Sequence, residues 1–282
     1  MTSEPIAHPL TDVPVLTGRD EHSPVLIDAT QSGIVILTLN RPDKNNVLGP
    51  ELVVALSDAF DTLKGADHVR AVFLRGAGGR FCAGIDPDYI AQSADWLEDD
   101  IREDALRLAT MLKKLNDLPQ ITVALVDGAA FDAGAGLVAA CDLAVATEQA
   151  TFAFSEVRLG LSPAAASPYL VRAVGARNAR VLLATGREFT ASDALKWGLL
   201  QEVVADAAQF GPLVAVMGAA MRDCAPGAVA DVKRLVNDVA DRPIDHALLD
   251  YTAHAIARRR ASAEGREGVR AFLDNRKPSW TE

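Results

Sequence analysis

The sequence predicts an α/β domain with strands paired in parallel through helical crossovers, followed by a helical C-terminal region. Short β-rich or apolar runs alternate with amphipathic helical patterns over residues 23–208, and from about Gln209 onward helical periods dominate. A chain of 282 residues with 49% hydrophobic and 23% charged residues has the composition of a packed protein and buries a sizeable core.

Taken in order, residues 1–22 mix Pro5, Pro9 and Pro14 with acids and lack the cationic start and apolar run of a signal peptide, so they read as a loose tail. Residues 25–27 and 34–39 are β-rich runs separated by Gln31-Ser32-Gly33, a hairpin-like arrangement. Pro50 opens a helical pattern marked by Leu52, Leu56, Phe60 and Leu63. Residues 71–74 form a buried strand that runs into the glycine loop Arg75-Gly76-Ala77-Gly78-Gly79. Ile101, Ala105, Leu108, Leu112 and Leu115 mark a second amphipathic helix, stopped before Pro119. Residues 121–126 are again strand-like, a short helix begins near Asp132, and an apolar run covers 143–146. This order favours parallel pairing. In the C-terminal region, residues 209–282, Pro226 and Pro243 are read as helix starts.

A formal charge of −10 gives no global electrostatic support for binding nucleic acid or an anionic membrane. Cys82, Cys141 and Cys224 are odd in number and widely spaced, which fits a reducing cytoplasm and no disulfide framework or metal-ligand rhythm. The five histidines form no H-E-x-x-H pattern, and no apolar stretch approaches the ~18 residues of a membrane span.

Three segments carry the candidate chemistry. In Arg80-Phe81-Cys82-Ala83-Gly84-Ile85-Asp86, small residues let the backbone approach a ligand and leave an amide free to donate; a plain tight turn is the alternative. In residues 126–137 a strand ends and a helix of small residues begins, so first-turn amides lack intrahelical acceptors; close packing through Ala and Gly is the alternative. In Thr151-Phe152-Ala153-Phe154-Ser155-Glu156-Val157, an extended chain projects Phe152, Phe154 and Glu156 to one side. Desolvation beside aromatic rings raises the Glu156 pKa and suits it to proton transfer. The alternative is a strand that ends at Phe154 and a solvated Glu156. A dinucleotide reading of Gly76-Ala77-Gly78 is weaker, because Phe81 takes the place of the third glycine.

In this order and spacing the three segments resemble the crotonase superfamily of enoyl-CoA hydratases and isomerases. The resemblance runs from Leu39-Asn40-Arg41-Pro42-Asp43-Lys44-Asn45 through both loops and Cys141-Asp142-Leu143-Ala144. It continues over Ser155-Glu156-Val157-Arg158-Leu159-Gly160-Leu161-Ser162-Pro163 to Asn275-Arg276-Lys277-Pro278. It implies a ClpP-like spiral of repeated β-β-α units, a C-terminal helical region that oligomerises and covers the coenzyme A, and a homotrimer or dimer of trimers. It also implies an acyl-CoA substrate whose thioester carbonyl accepts hydrogen bonds from the amides of Ala83 and Gly134, with Glu156 as the acid/base. The CoA moiety is placed along Asp43, Lys44, Asn45, Phe81, Gly84 and Asp86, with Lys277 a phosphate contact. No metal or redox cofactor is implied beyond the CoA of the substrate.

Two departures bear on the reaction. Hydratases of this family usually carry a first glutamate where this chain has Gly136, leaving Glu156 alone. One carboxylate suits a double-bond isomerase, yet residues 155–158 and 163–168 look more like hydratase relatives, and the leading reading is hydration of a 2-enoyl thioester. A non-catalytic acyl-CoA-binding subunit is the further alternative. The second departure is Asp132, where the family usually has glycine. As a helix N-cap its carboxylate competes for the Gly134 amide unless it points away. Arg158 is read as a surface ion-pair partner or a contact for an acidic acyl tail.

Overall fold

The computed structural model describes residues 22–281, so the expected tail lies outside the described residues apart from His22. The chain opens with β1 (Val25–Ala29) and β2 (Ile34–Leu39), an antiparallel pair with Val25 opposite Leu39. Then come α1 (Pro50–Lys64), β3 (Ala71–Gly76), α2 (Pro87–Gln92), α3 (Glu98–Asn116) and β4 (Ile121–Val126). The middle of the chain holds β5 (Ala129–Phe131), α4 (Ala133–Ala140), β6 (Leu143–Thr147), β7 (Thr151–Ala153), α5 (Ser167–Thr185), β8 (Phe189–Thr190), α6 (Ala191–Trp197) and β9 (Glu202–Val204). Four helices follow: α7 (Phe210–Arg222), α8 (Pro226–Val239), α9 (His246–Ala261) and α10 (Ala263–Leu273).

A six-stranded sheet has the order β1-β2-β3-β4-β6-β9, and every pairing after the first is parallel. A smaller sheet, β5-β7-β8, lies beside it, and Cys82 joins its edge through a parallel bridge to Ala130. Two successive passes of the chain lay a strand in the large sheet, turn, lay a short strand in the small one, and return through a helix. The passes β4-β5-α4 and β6-β7-α5 are the repeated β-β-α units of a spiral.

Both faces of the large sheet are covered, which explains why its central strands read as continuous apolar runs. One face packs Leu37, Val72 and Leu74 against Leu52, Leu56 and Phe60 of α1 and Met111 and Leu112 of α3. The other packs Ile36, Phe73 and Val123 against Val214 of α7. The helix expected at Pro226 begins there, but Pro243 does not start one: α9 begins at His246, where the Asp245 side chain accepts the Leu248 amide at 2.9 Å. No single helix among the described residues is long and apolar enough to cross a membrane.

A near-buried ion pair ties the C-terminal helices to the sheet. Lys233 of α8 sits 2.6 Å from Asp142 and donates to the Gln120 carbonyl at 2.7 Å. Asp142 also accepts from the amide and hydroxyl of Thr122 at 2.8 and 2.9 Å. Removing one partner leaves the other charge poorly solvated. Lys233→Met is expected to lower the unfolding free energy by about 2 kcal/mol; a urea titration that overlays wild type would show that the pair contributes nothing.

Candidate active site at the meeting of three segments

The loop after β3 is held by a residue that the sequence reading passed over. Asn46 is fully buried; its Oδ1 accepts the Arg41 amide at 2.9 Å, and its Nδ2 donates to the carbonyls of Ala77 and Arg80 at 2.9 and 2.7 Å. Asn45 and Asn46 both adopt left-handed φ, 53° and 56°, a conformation that asparagine tolerates better than most side chains. The Asn-Asn pair was the available signal. Beyond it the chain runs alongside residues 83–86: the Ala83 amide donates to the Asn45 carbonyl at 3.0 Å, Leu48 to Gly84 at 2.7 Å, and Asp86 to Leu48 at 3.0 Å.

This pairing decides which amides are free. The Ala83 N–H, assigned to the oxyanion hole from the sequence, is already donated to Asn45. A parallel bridge between Leu48 and Ile85 turns the Ile85 N–H away from Leu48, and neither Gly84 nor Ile85 donates its amide to any acceptor among the described residues. Gly84 is required here because its φ is +103°.

The second segment is the junction of β5 and α4. The Asp132 amide donates to Ala153 at 2.8 Å, and its carbonyl accepts from Gly136 at 2.9 Å. The amides of Ala133, Gly134 and Ala135 occupy the first turn with no intrahelical acceptor, where the helix end carries partial positive charge. Gly134 thus keeps the free N–H expected of it. A Cβ on Gly134 would stand 2.6 Å from the Cys82 carbonyl oxygen, so the absence of a side chain lets the two loops touch. They also meet at Gly84, where a Cβ would lie 2.9 Å from Asp132 Oδ2.

At Gly136 a Cβ would lie 2.9 Å from Ala166 Cβ. The position that carries a glutamate in hydratase relatives is therefore filled from the other side, not merely lacking a side chain.

The third segment corrects the expected geometry. Strand β7 ends at Ala153, and Glu156 is the first residue of a 3-10 turn, Glu156–Leu159, so the two-residue alternation does not carry through to it. Glu156 is nevertheless only 9% exposed, and its Oε2 has no hydrogen-bond partner among the described residues. Burial raises its pKa to about 7, with the neighbouring Asp132 carboxylate adding to the shift and its own backbone amide opposing it. Asp132 makes no side-chain N-cap; its Oδ1 accepts instead from the Ser155 amide at 2.6 Å and the Ser155 hydroxyl at 2.8 Å. The expected competition for the Gly134 amide is absent, because the carboxylate is turned towards Ser155. Nothing in the sequence marked Ser155 for this contact.

The remaining candidates divide. Asp43, Lys44 and Asn45 are exposed on the 3-10 turn before Asn46, with Lys44 3.9 Å from Asp88. Phe81 is fully buried in the main core and presents no surface to a ligand. Asp86 is largely buried, caps α2 through the Asp88 amide at 3.0 Å and faces Arg41 at 4.0 Å, all structural contacts. Lys277 is not brought to this site within one chain. It is exposed and lies three residues before Trp280, whose carbonyl accepts from Arg70 just before β3, at the end of the strand opposite the 76–86 loop. Arg158 is exposed.

Free amides from two loops, a helix N-terminus and a buried carboxyl that ionises near neutrality define a site of the kind that polarises a carbonyl and moves a proton beside it. The chain belongs to the enoyl-CoA hydratase/isomerase family, whose sequence model matches residues 29–282. It is 32% identical over 253 residues to the enoyl-CoA hydratase ACTT6 of Alternaria alternata, covering 89% of this chain and 82% of that one. It is 28% identical over 259 residues to the 1,2-epoxyphenylacetyl-CoA isomerase of Escherichia coli, covering 91% and 98%. Among solved structures, an enoyl-CoA hydratase from Shewanella pealeana superposes with a TM-score of 0.86 at 33% identity, covering 91% of this chain and 96% of that one.

The Gly136 contact is open to direct test. Gly136→Ala is expected to cost about 1–3 kcal/mol, and Ala166→Gly in the same chain to recover part of it. Equal losses in the single and double variants by urea denaturation would show that Ala166 is not the obstacle.

Proposed function

We propose that the protein adds water across the 2,3 double bond of a 2-enoyl-CoA thioester. The reading rests above all on Glu156: a carboxyl nine-tenths buried, with one oxygen unpartnered and an ionisation near neutral pH, one segment away from unpaired backbone amides. The thioester oxygen accepts hydrogen bonds from the Ile85 side of the first loop and from the first turn of α4, Gly134 included. Negative charge that grows on that oxygen as water attacks C3 is thereby stabilised, a contribution on the order of 3–4 kcal/mol per donor in other enzymes. Glu156 takes the proton from the attacking water and delivers it to C2. The exposed turn at Asp43, Lys44 and Asn45 receives the CoA moiety, and Lys277 reaches it from a neighbouring copy in a homotrimer. The trimer part is tested by mass in solution, where a monomer would remove that role for Lys277.

A second reading, migration of a 3,4 double bond to the 2,3 position, draws on the packing that closes position 136 and leaves Glu156 as the family's single remaining glutamate. In it Glu156 moves a proton between two carbons and no water enters. Incubating the full chain with 2-enoyl and 3-enoyl thioesters in 18O-water separates the two: hydration adds the mass of labelled water, isomerisation leaves the mass unchanged.

Glu156→Gln is expected to lower kcat by about 10²–10⁴-fold while acyl-CoA binding persists; wild-type turnover in that variant would end the assignment. Since Glu156 acts as a base in the first step, kcat/KM rises with pH through about 7 and levels off above it. The same ionisation opposes folding. Stability from the protonated group is whole below its ordinary value of 4.5 and is lost as pH rises through about 7. Between pH 5 and 8 the wild type should lose roughly 2–3 kcal/mol relative to Glu156→Gln, and parallel stability curves would mean that Glu156 is not held out of water.

A further inference from the structure

Asp132 is the group that this scheme leaves unused, and its backbone sets it apart. Its φ of 49° and ψ of −119° belong to a region that glycine enters freely and other residues hold only under strain. The fold does not call for the side chain: α4 receives no side-chain cap from it, and the bonds made by its amide and carbonyl are ones that a glycine would make equally. What the carboxylate adds is a set of contacts between segments. Oδ1 accepts both donors of Ser155, Oδ2 lies against Gly84, and the negative charge bears on the buried Glu156 carboxyl.

We propose that Asp132 is the positioning residue for Glu156, supplying from the β5–α4 junction the second carboxylate that position 136 does not carry. The inference rests on Glu156 being the acid/base. Holding Ser155 by two hydrogen bonds fixes the residue before Glu156, and a carboxylate beside Glu156 disfavours its ionisation, which makes it a stronger base once ionised. In hydration the proton balance closes on Glu156 alone. An O–H bond of water breaks and its proton passes to Glu156 as the C3–O bond forms; the proton then leaves Glu156 as the C2–H bond forms. Asp132 neither gains nor loses a proton over the cycle.

No other charge faces Glu156 from the elements packed around it. Helix α4 contains no charged residue, while Arg172, Arg177 and Arg180 of α5, Arg158 of the same turn, and Arg187 and Glu188 beyond it are exposed. Asp132 is the one charged side chain that bears on Glu156 among the described residues.

The test uses the full chain with 13C-carboxyl-labelled glutamate, the Glu156 signal being assigned by its loss in Glu156→Gln. In Asp132→Asn and Asp132→Gly the Glu156 titration midpoint, about 7 in the wild type, should fall by roughly one pH unit or more. Turnover of a 2-enoyl-CoA should drop on the order of 10-fold or more in kcat with KM little changed. Asp132→Gly, which suits the backbone, should melt at or above the wild-type temperature. An unmoved midpoint in both variants overturns the proposal, as does full kcat in Asp132→Gly, or a lower melting temperature there with no change in midpoint. The parent reading fails separately, through wild-type turnover in Glu156→Gln; loss of turnover there with an unmoved midpoint in the Asp132 variants sinks this inference alone.

Discussion

The site depends on how the side chain of Asn46 is spent. One buried amide satisfies a backbone N–H at one end of the 40s turn and two carbonyls of the loop after β3, a set that no apolar residue provides. With that loop fixed, residues 45–48 lie against 83–86 in a register that consumes the amides of Ala83 and Asp86 and spares those of Gly84 and Ile85. The choice of free donors is therefore a by-product of backbone pairing. The same economy operates at α4, where the N-cap residue Asp132 turns its carboxylate to Ser155 and leaves the first turn of the helix open.

Three segments distant in sequence then converge through small residues. Gly134 allows contact with Cys82, and Gly84 allows contact with Asp132. The short pairing of Cys82 with the β5 strand, with the Cys82 amide on Ala129 and the Phe131 amide on Cys82, carries this closeness into the small sheet. Through Asp132 it extends to Ser155 and Glu156. The free amides and Glu156 thus share one hydrogen-bonded framework rather than sitting on independent loops.

Much of this fold was legible because its signals are local and periodic. The hairpin, α1, α3 and the buried strands β3, β4 and β6 follow from apolar spacing, Pro50 and Pro119. What the sequence concealed depends on contacts between segments. Ala83 looks as free as Ile85 until Asn45 is placed beside it. Phe81 looks available until the core closes over it. For Glu156 the alternation of Phe152 and Phe154 leaves open an extended, buried residue or a solvated loop residue after the strand. The chain does leave the strand, turning at Ser155 where a carboxylate from another loop holds both donors, yet Glu156 stays buried. The resemblance to a family supplied the segments; the backbone pairing selected the atoms.

The contact between Gly136 and Ala166 also constrains the substitutions open to this chain. A glutamate at 136 cannot be introduced by one codon change without forcing its Cβ into an atom 2.9 Å away. The neighbour must shrink or the 163–166 turn must move in the same step. A change of that kind needs two coordinated substitutions, the first of them destabilising alone. The packing at 136 thus fixes one wall of the pocket independently of the loops around it.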